Sequence, residues 1–357
     1  MDTPYNIYGG LQDNGTWRGS SRSTPNRERP WTRLFGGDGM HVNPHPENSD
    51  IVYVGFQYGN YMRRNLSDGS SYRITPRHEI GEDRYRYNWN TPVELSVHNP
   101  EIVYFGSQRL NRSFDEGKTW TAISPDLSYN FANGDVPYST ITSIAESPIS
   151  FQVLWVGTDD GKVQVTRDGG TTWNDVSSGL PQYRWVSEVH ASNHDVATAY
   201  ISLNGYRFDE FSSYIFKTTN YGATWTSVTG DLPEDVVNVI VQDPVQPELL
   251  YAGLDHGSYV SLNDGKNWHL ITQIPNVASY DMIVHPRDME LVTATHGRSI
   301  YVSDVTLFHE LHARIQEDIT VFSIDDVRYS ARWGNQSVAY RDAFEPNFEA
   351  SFYVKPK

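Results

Sequence analysis

The sequence predicts an all-β fold: a β-propeller of four-stranded antiparallel blades, with seven blades as the first choice and six as the alternative. Three observations predict it. A turn phrase, S/T-x-D/N-x-G followed by an aromatic residue, recurs along the chain. It reads SFDEGKTW at 113–120, TRDGGTTW at 166–173, TTNYGATW at 218–225 and SLNDGKNW at 261–268, with a weaker copy, NLSDGSSY, at 65–72. Asp115, Asp168, Asn220 and Asn263 lie 53, 52 and 43 residues apart, which suits one blade, for which roughly 40–50 residues is typical. The composition is that of strands and turns, with 23 Tyr, 14 Phe and 10 Trp beside 27 Gly and 19 Pro. A helical rhythm is confined to VTLFHELHARIQ at 305–316.

Each repeated turn has a local cause. The Asp or Asn side chain accepts hydrogen bonds from backbone N–H groups of the turn. The glycine (Gly117, Gly170, Gly222, Gly265) supplies a positive φ. The Trp is expected to pack under its hairpin. These carboxylates therefore read as turn-holders rather than as chemistry.

With the strands of a blade named A to D from the axis outward, A strands fall near 40–43, 92–97, 141–146, 186–190, 237–242 and 281–284. B strands fall near 51–55, 102–106, 153–157, 199–203, 249–253 and 291–295, and another B-like segment opens the chain at 5–10. Seven B strands thus stand against six A strands. The N-terminal unit lacks A and the C-terminal unit lacks D. Joining the terminal strands in one blade would close the ring, because an open strand edge invites association; strands from a missing partner are the alternative. Residues 1–304 read as the propeller, with an incomplete N-terminal blade closed by terminal strands. Residues 305–357, where ITVFSIDDVRYS alternates, read as a strap or the lead into a further domain. The opening MDTPYNIYGG is no signal peptide and enters a strand almost at once, so the chain reads as cut from something longer.

The bulk numbers exclude several classes. A formal net charge of −16 repels phosphate backbones and anionic lipid, which argues against nucleic-acid and membrane-surface partners. The absence of cysteine removes disulfides and thiolate metal sites and leaves the compartment open. There is no apolar run of about 18 residues to span a bilayer. No G-x-S-x-G, H-E-x-x-H or phosphate loop occurs. His41, His45, His98 and His285 recur at A-strand edges without metal-ligand spacing and read as structural. No metal and no cofactor is expected.

Six phrases carry a resemblance that runs over nearly the whole chain: GGLQDNGTWRG at 9–19, GGDGMHV at 36–42, YNWNTP at 87–92, ITSIAESP at 141–148, LWVGTDDGKVQVTRDGGTTW at 154–173 and THGRSIYVSD at 295–304. The chain resembles a large bacterial family of sortilin-like or "glycosyl hydrolase" BNR-repeat proteins, whose repeated turn is the Asp-box, also found in sialidase-type and sortilin-type propellers. The resemblance implies an exported protein with more propeller upstream, which fits the absent A strand. More distant relatives are tandem-propeller xyloglucanases, which pair Asp residues across a cleft, and sortilin, which binds peptides inside its tunnel. A sialidase site is not implied, because only Arg109 and Arg298 stand in the right loops.

In a propeller the D-to-A and B-to-C loops emerge on one face around the axis. Here the B-to-C turns hold Gln12, Asp13 and Asn14, then Gln57, Gln108 and Arg109, Asp159 and Asp160, Asn204, Asp255 and His256, and His296 and Arg298. The D-to-A loops hold Asp38, Asn88, Trp89, Asn90, Trp185 and Asn238. Turn chemistry explains scattered Asn and Asp, but not Gln, Trp, His and Arg in the same ring. Hydrolysis of a glycosidic bond needs two carboxylates about 5–9.5 Å apart. Asp13, Asp38, Asp159 and Asp160 are the catalytic candidates. Gln12, Asn88, Trp89, Asn90, Gln108, Arg109, Trp185, Asp255, His256, His296 and Arg298 are the binding candidates, with the Trp rings suited to stacking on sugars. The alternative for each Asp is a turn acceptor.

Glu146 ends an A strand at the opposite face and reads as a solvated turn residue. Arg18, Arg22, Arg27, Arg29 and Arg33 read as a solvated loop or a docking patch. The chain is expected to be an exported carbohydrate-active propeller, binding a polysaccharide or hydrolysing it. The alternative is a sortilin-like scaffold for a protein or peptide partner, without catalysis.

Overall fold

The computed structural model describes residues 2–23, 31–131, 134–322, 330–336, 340, 343 and 350–355. Two compact units divide the chain after Ser303.

The first unit is a seven-bladed propeller of antiparallel sheets. Blade 1 comprises β1 (Asn6–Leu11), β2 (Gly15–Ser20) and β3 (Trp31–Phe35). Blade 2 comprises β4 (Asn43–His45), β5 (Asn48–Phe56), β6 (Asn60–Asn65) and β7 (Ser71–Arg73). Blade 3 has β8 (Val93–Leu95), β9 (Val103–Gly106), β10 (Leu110–Ser113) and β11 (Thr121–Ala122). Blade 4 has β12 (Ile141–Glu146), β13 (Leu154–Thr158), β14 (Val163–Thr166) and β15 (Asn174–Asp175). Blade 5 has β16 (Trp185–Ala191), β17 (Ala199–Gly205), β18 (Glu210–Thr218) and β19 (Thr226–Ser227). Blade 6 has β20 (Val237–Gln242), β21 (Leu250–Leu254), β22 (Gly257–Ser261) and β23 (His269–Leu270). Blade 7 has β24 (Ser279–His285), β25 (Glu290–Thr295) and β26 (Ile300–Asp304).

Strand order in each sheet follows the chain, so the A-to-D register expected from the repeats is the one observed. Blade 1 lacks its inner strand and blade 7 its outer strand among the described residues. Among the described residues the first and last blades are separate sheets. They stand as neighbouring blades, and side chains close the ring. Tyr5 donates to the Glu290 carboxylate at 2.7 Å and stacks on His285 at 4.2 Å, while Arg22 pairs with Glu290 at 2.8 Å. Of the basic cluster, Arg18 donates to the Ser49 carbonyl at 3.4 Å; Arg27 and Arg29 lie outside the described residues.

The core is a series of layers between successive blades. Trp155, Val163 and Val165 of blade 4 pack against Val186, Val189, Ile201 and Leu203 of blade 5. Tyr200 and Ile215 of blade 5 pack against Ile240, Leu250 and Ala252 of blade 6 in turn. B strands are covered on both faces, which is why LWVGT (β13) and LYAGL (β21) are buried throughout and read as unbroken apolar runs.

The repeated turns sit between C and D strands, and their buried member is the Ser or Thr. Ser113, Thr166, Thr218 and Ser261 accept from the N–H of Gly117, Gly170, Gly222 and Gly265 at 2.8–2.9 Å. Their hydroxyls donate to Asp115, Asp168, Asn220 and Asn263. The Asp or Asn then accepts from the backbone four residues on. Three of the tryptophans reach farther than their own hairpin. The indole N–H of Trp173, Trp225 and Trp268 donates to the carbonyls of Ile123, Val176 and Val228 in the preceding blade. Trp120 alone of the four donates within its own turn, to the Gly117 carbonyl.

Glu146 is not a solvated turn residue. Its carboxylate accepts from the Ser96 hydroxyl, the Val97 N–H and the Tyr104 hydroxyl, clasping blade 4 to blade 3. His98 and His194 do the same through their imidazole Nε2, which meet the Ser147 and Asp243 carbonyls at 2.9 Å.

The second unit holds α1 (Thr306–Arg314), within the span predicted helical, and β27 (Ile319–Val321) paired antiparallel with β28 (Phe352–Val354). Most of the alternating segment expected as a strap lies outside the described residues.

Candidate functional site

The A strands converge on the axis, so the loops entering them meet at one end. Tyr129, Phe131, Tyr138 and Tyr183 cluster there. Tyr129 and Phe131 stack at 5.4 Å, and Tyr183 meets both edge-on at 5.4 and 5.5 Å. Lys162 lies over the Tyr129 ring at 4.9 Å. A groove of about 410 Å³ opens beside them, lined by Tyr129, Gly161, Asp175 and residues 177–182.

A second cluster is built on blade 5. Its B and C strands run to seven and nine residues and are joined through a short 3-10 turn, Tyr206–Phe208. The Arg207 guanidinium lies 3.8 Å from the Trp185 ring centre and 4.4 Å from that of Tyr206. Tyr280 and His296 meet edge-on at 5.1 Å. The charge of Arg207 is felt by both Tyr138 and Tyr280. Burial, with Asp159 and Asp160 nearby, pushes the Tyr138 phenol up to about 12. Burial and Asp255 likewise raise Tyr280. Both phenols therefore remain donors at neutral pH.

The sequence-predicted residues separate into groups. Asp159 and Asp160 occupy the β13–β14 turn and are almost fully buried. Asp159 accepts from the Thr140 N–H (2.7 Å), the Thr140 hydroxyl (2.6 Å) and the Asn88 amide (3.3 Å). Burial pushes its pKa up to about 6, against these hydrogen bonds. Asp160 accepts from the Tyr129 N–H at 2.8 Å and the Thr158 hydroxyl at 2.6 Å. Asp38 is buried and accepts from the Asp13 N–H at 2.9 Å, while Asp13 itself is exposed at a positive φ of 62°. Close approach of two glycines builds this corner: a Cβ on Gly10 would lie 2.3 Å from the Met40 carbonyl oxygen, and one on Gly39 2.5 Å from the Gly10 Cα.

Gln12 lies in the same exposed turn and accepts from Asn14. Asn88 is buried and holds Thr140 as well as Asp159. Its side-chain oxygen accepts from the Asn90 N–H. Trp89 is exposed and stands edge-on to Tyr58 at 5.2 Å. Gln108 is buried between the Arg86 N–H and the Arg84 carbonyl, and Arg109 faces Glu82 at 3.9 Å. Asp255 accepts from Asn238 at 2.9 Å. His256 meets Asp235 at 3.1 Å, and that hydrogen bond raises its pKa. Arg298 is exposed beside His296 in chain order. Gln108, Asn88, Asp38, Asp159 and Asp160 thus hold loops, while Trp89, Trp185, Asp255, His256, His296 and Arg298 are presented on them.

Sequence reading missed two features. The first is Tyr206 and Arg207, whose signal was the extra length of the hairpin that holds LNGYRFDE. The second is a set of titratable groups on the axis-facing strands. Burial and the repulsion of Asp281 and Glu146 push Glu94 of β8 up to about 8. Burial raises Glu188 of β16 well above the usual carboxylate range, with Asp281 and Glu94 adding to it. Asp281 of β24 is water-accessible yet desolvated by the surrounding blades, which raises it too. His41 and His190 are lowered to about 4 by burial. The two-residue spacing of Glu188 and His190 puts both on one side of their strand. Among the described residues, no three His, Asp or Glu side chains are arranged to hold a metal ion.

No family model matches the chain, and no curated protein matches it. Solved structures do. A GH74 xyloglucanase from Xanthomonas campestris aligns with a TM-score of 0.60 at 18% identity, over 83% of this chain and 50% of that one. The GH74 enzyme of Niastella koreensis aligns with a TM-score of 0.61 at 15% identity, over 84% of this chain and 50% of that one. An ancestral GH74 enzyme gives 0.55 at 16% identity, over 76% of this chain and 39% of that one. The likeness shows the propeller fold. The chain spans half the length, or less, of these structures. No helix of the described residues is long and apolar enough to cross a membrane.

Proposed function

We propose that the chain is a carbohydrate-active propeller that binds a polysaccharide on its D-to-A and B-to-C loop face, and that it acts outside the cell. One observation carries the proposal. Trp89, Phe131, Tyr183, Tyr206, Phe208 and Tyr280 are large aromatic rings left in water, and all lie on loops or strand starts of that single face. Exposed apolar surface gathered in this way marks an interaction site. Rings beside Asn, Asp, His and Arg suit a sugar, whose C–H faces are apolar and whose edge carries hydroxyls. The GH74 likeness supports the same class of ligand. The repeated turns support a place among Asp-box propellers.

Binding is favoured over hydrolysis. Asp38, Asp159 and Asp160 are buried and already accept from neighbouring loops, whereas hydrolysis needs two carboxylates free to flank a glycosidic bond.

The test is affinity electrophoresis through gels containing neutral or acidic polysaccharides. At least one should retard the wild-type protein. Replacing Trp89 and Tyr206 together by Ala should weaken that retardation about tenfold, equivalent to ~1.4 kcal/mol, with melting unchanged. No retardation by any polysaccharide would overturn the proposal and turn attention to a peptide partner. Release of new reducing ends would add hydrolysis to it.

A further inference from the structure

We infer that Arg207 is the receptor for a carboxylate on the ligand, and that the polysaccharide is therefore acidic, built from uronic acid residues. The inference rests on the loop face being the glycan site.

Arg207 is exposed, yet fixed between the Trp185 and Tyr206 rings at 3.8 and 4.4 Å. A guanidinium lying on a ring keeps its edge, with its N–H donors, directed outward. Among the described residues no hydrogen bond or ion pair occupies that edge. Of the carboxylates nearby, Glu210 pairs with Arg184 and accepts from Tyr214, and Asp255 accepts from Asn238, while Asp209, which ends the same turn, forms no ion pair with Arg207 among the described residues. In a protein of net charge −16, a rigid and unclaimed cation on the aromatic face is a specific feature rather than part of a basic surface.

The geometry selects the class of anion. A planar fork meets a planar carboxylate through two parallel hydrogen bonds, which adds direction to charge. Stacking between two rings removes the rotamer freedom that an ordinary surface arginine loses on binding. A uronic acid residue presents both parts the site needs, a sugar face for the exposed Tyr280 ring and a carboxylate at its rim. A neutral sugar would leave the guanidinium edge to water.

The test uses the full chain with four probes: polygalacturonate, alginate, fully methyl-esterified polygalacturonate and dextran sulfate. Dissociation constants are measured by calorimetry for the wild type, Arg207→Gln and Arg207→Lys, with melting as the control for folding. The expected result is binding to at least one uronate polymer. Where that polymer is polygalacturonate, esterification should weaken binding about tenfold, the scale of one charge-assisted pair. Arg207→Gln should lose the same factor on the acidic polymer and nothing on the ester, and Arg207→Lys should recover only part of it.

Equal affinity for acid and ester, or no effect of Arg207→Gln, would overturn the inference. Binding of dextran sulfate as tightly as the uronate would also overturn it, by showing a general polyanion site. Retention on a neutral polysaccharide without preference for uronates would refute this inference alone. Silence toward every polysaccharide would refute the proposed function beneath it.

Discussion

At the residue scale, the repeated turn shows how one side chain can be legible in the sequence while its buried partner is not. The Asp or Asn was visible because turn chemistry is local. The neighbouring Ser or Thr, two residues earlier, is the buried one, and it answers the glycine N–H. Ser113→Ala should therefore leave the Gly117 N–H unanswered and cost ~1–3 kcal/mol, read as a lower urea midpoint at constant m-value. Asp168 differs in its pH dependence. Hydrogen bonds from Thr172 hold its carboxyl below the usual range, so its contribution is present above the unfolded pKa and disappears as pH falls through the folded one.

Glu94 works in the opposite sense. Its folded pKa is about 8 against an ordinary value near 4.3. The folded state holds the extra proton over that interval, so stability falls as pH rises between the two values. Glu94→Gln should remove that fall. A melting profile from pH 4 to 9 should be flatter in the variant on the alkaline side, and an unchanged profile would contradict the burial of Glu94. His190, lowered to about 4, should act on the acid side, where stability declines as pH drops from near 6.5. None of these groups stood out in the sequence, because VEL and SEVH look like ordinary strand alternation until the inner strands are brought around one axis.

At the element scale, the blade register was legible because each strand ends in turn residues that declare themselves. The links between blades were not. The hydrogen bonds of Trp225 to the Val176 carbonyl and of Glu146 to Ser96 and Tyr104 join positions about 42–50 residues apart, which no local pattern encodes. Trp225→Phe keeps most of the ring and loses the N–H. It should cost about 1 kcal/mol in chemical denaturation. The terminal blades offer a second check. Among the described residues five blades have four strands and the first and last have three, and the first–last junction is held by Tyr5, Arg22 and Glu290. Amides of β1 and β26 should exchange faster than those of β13 and β21, which are buried on both faces. Slower exchange at the junction would contradict closure by side chains.

At the scale of the whole molecule, the fold gathers loops from distant parts of the chain onto one face and divides their residues between two tasks. The predicted residues sit on D-to-A and B-to-C loops because strand order follows the repeats. Which of them touch a ligand was not readable, since the sequence does not distinguish a buried Asp159 holding Thr140 from an Asp left in water. Length was the only mark of the Arg207 turn, and its stacking on Trp185 needs the fold. The most direct test of the account is hydrogen-exchange footprinting of the intact chain with a polysaccharide that retards it. Exchange should slow in the loops around Trp89, Tyr183, Trp185, Arg207 and Tyr280, with the repeated turns at 113–120, 166–173, 218–225 and 261–268 unchanged. Protection at those turns, with none in the axial loops, would place the ligand on the opposite face and contradict it.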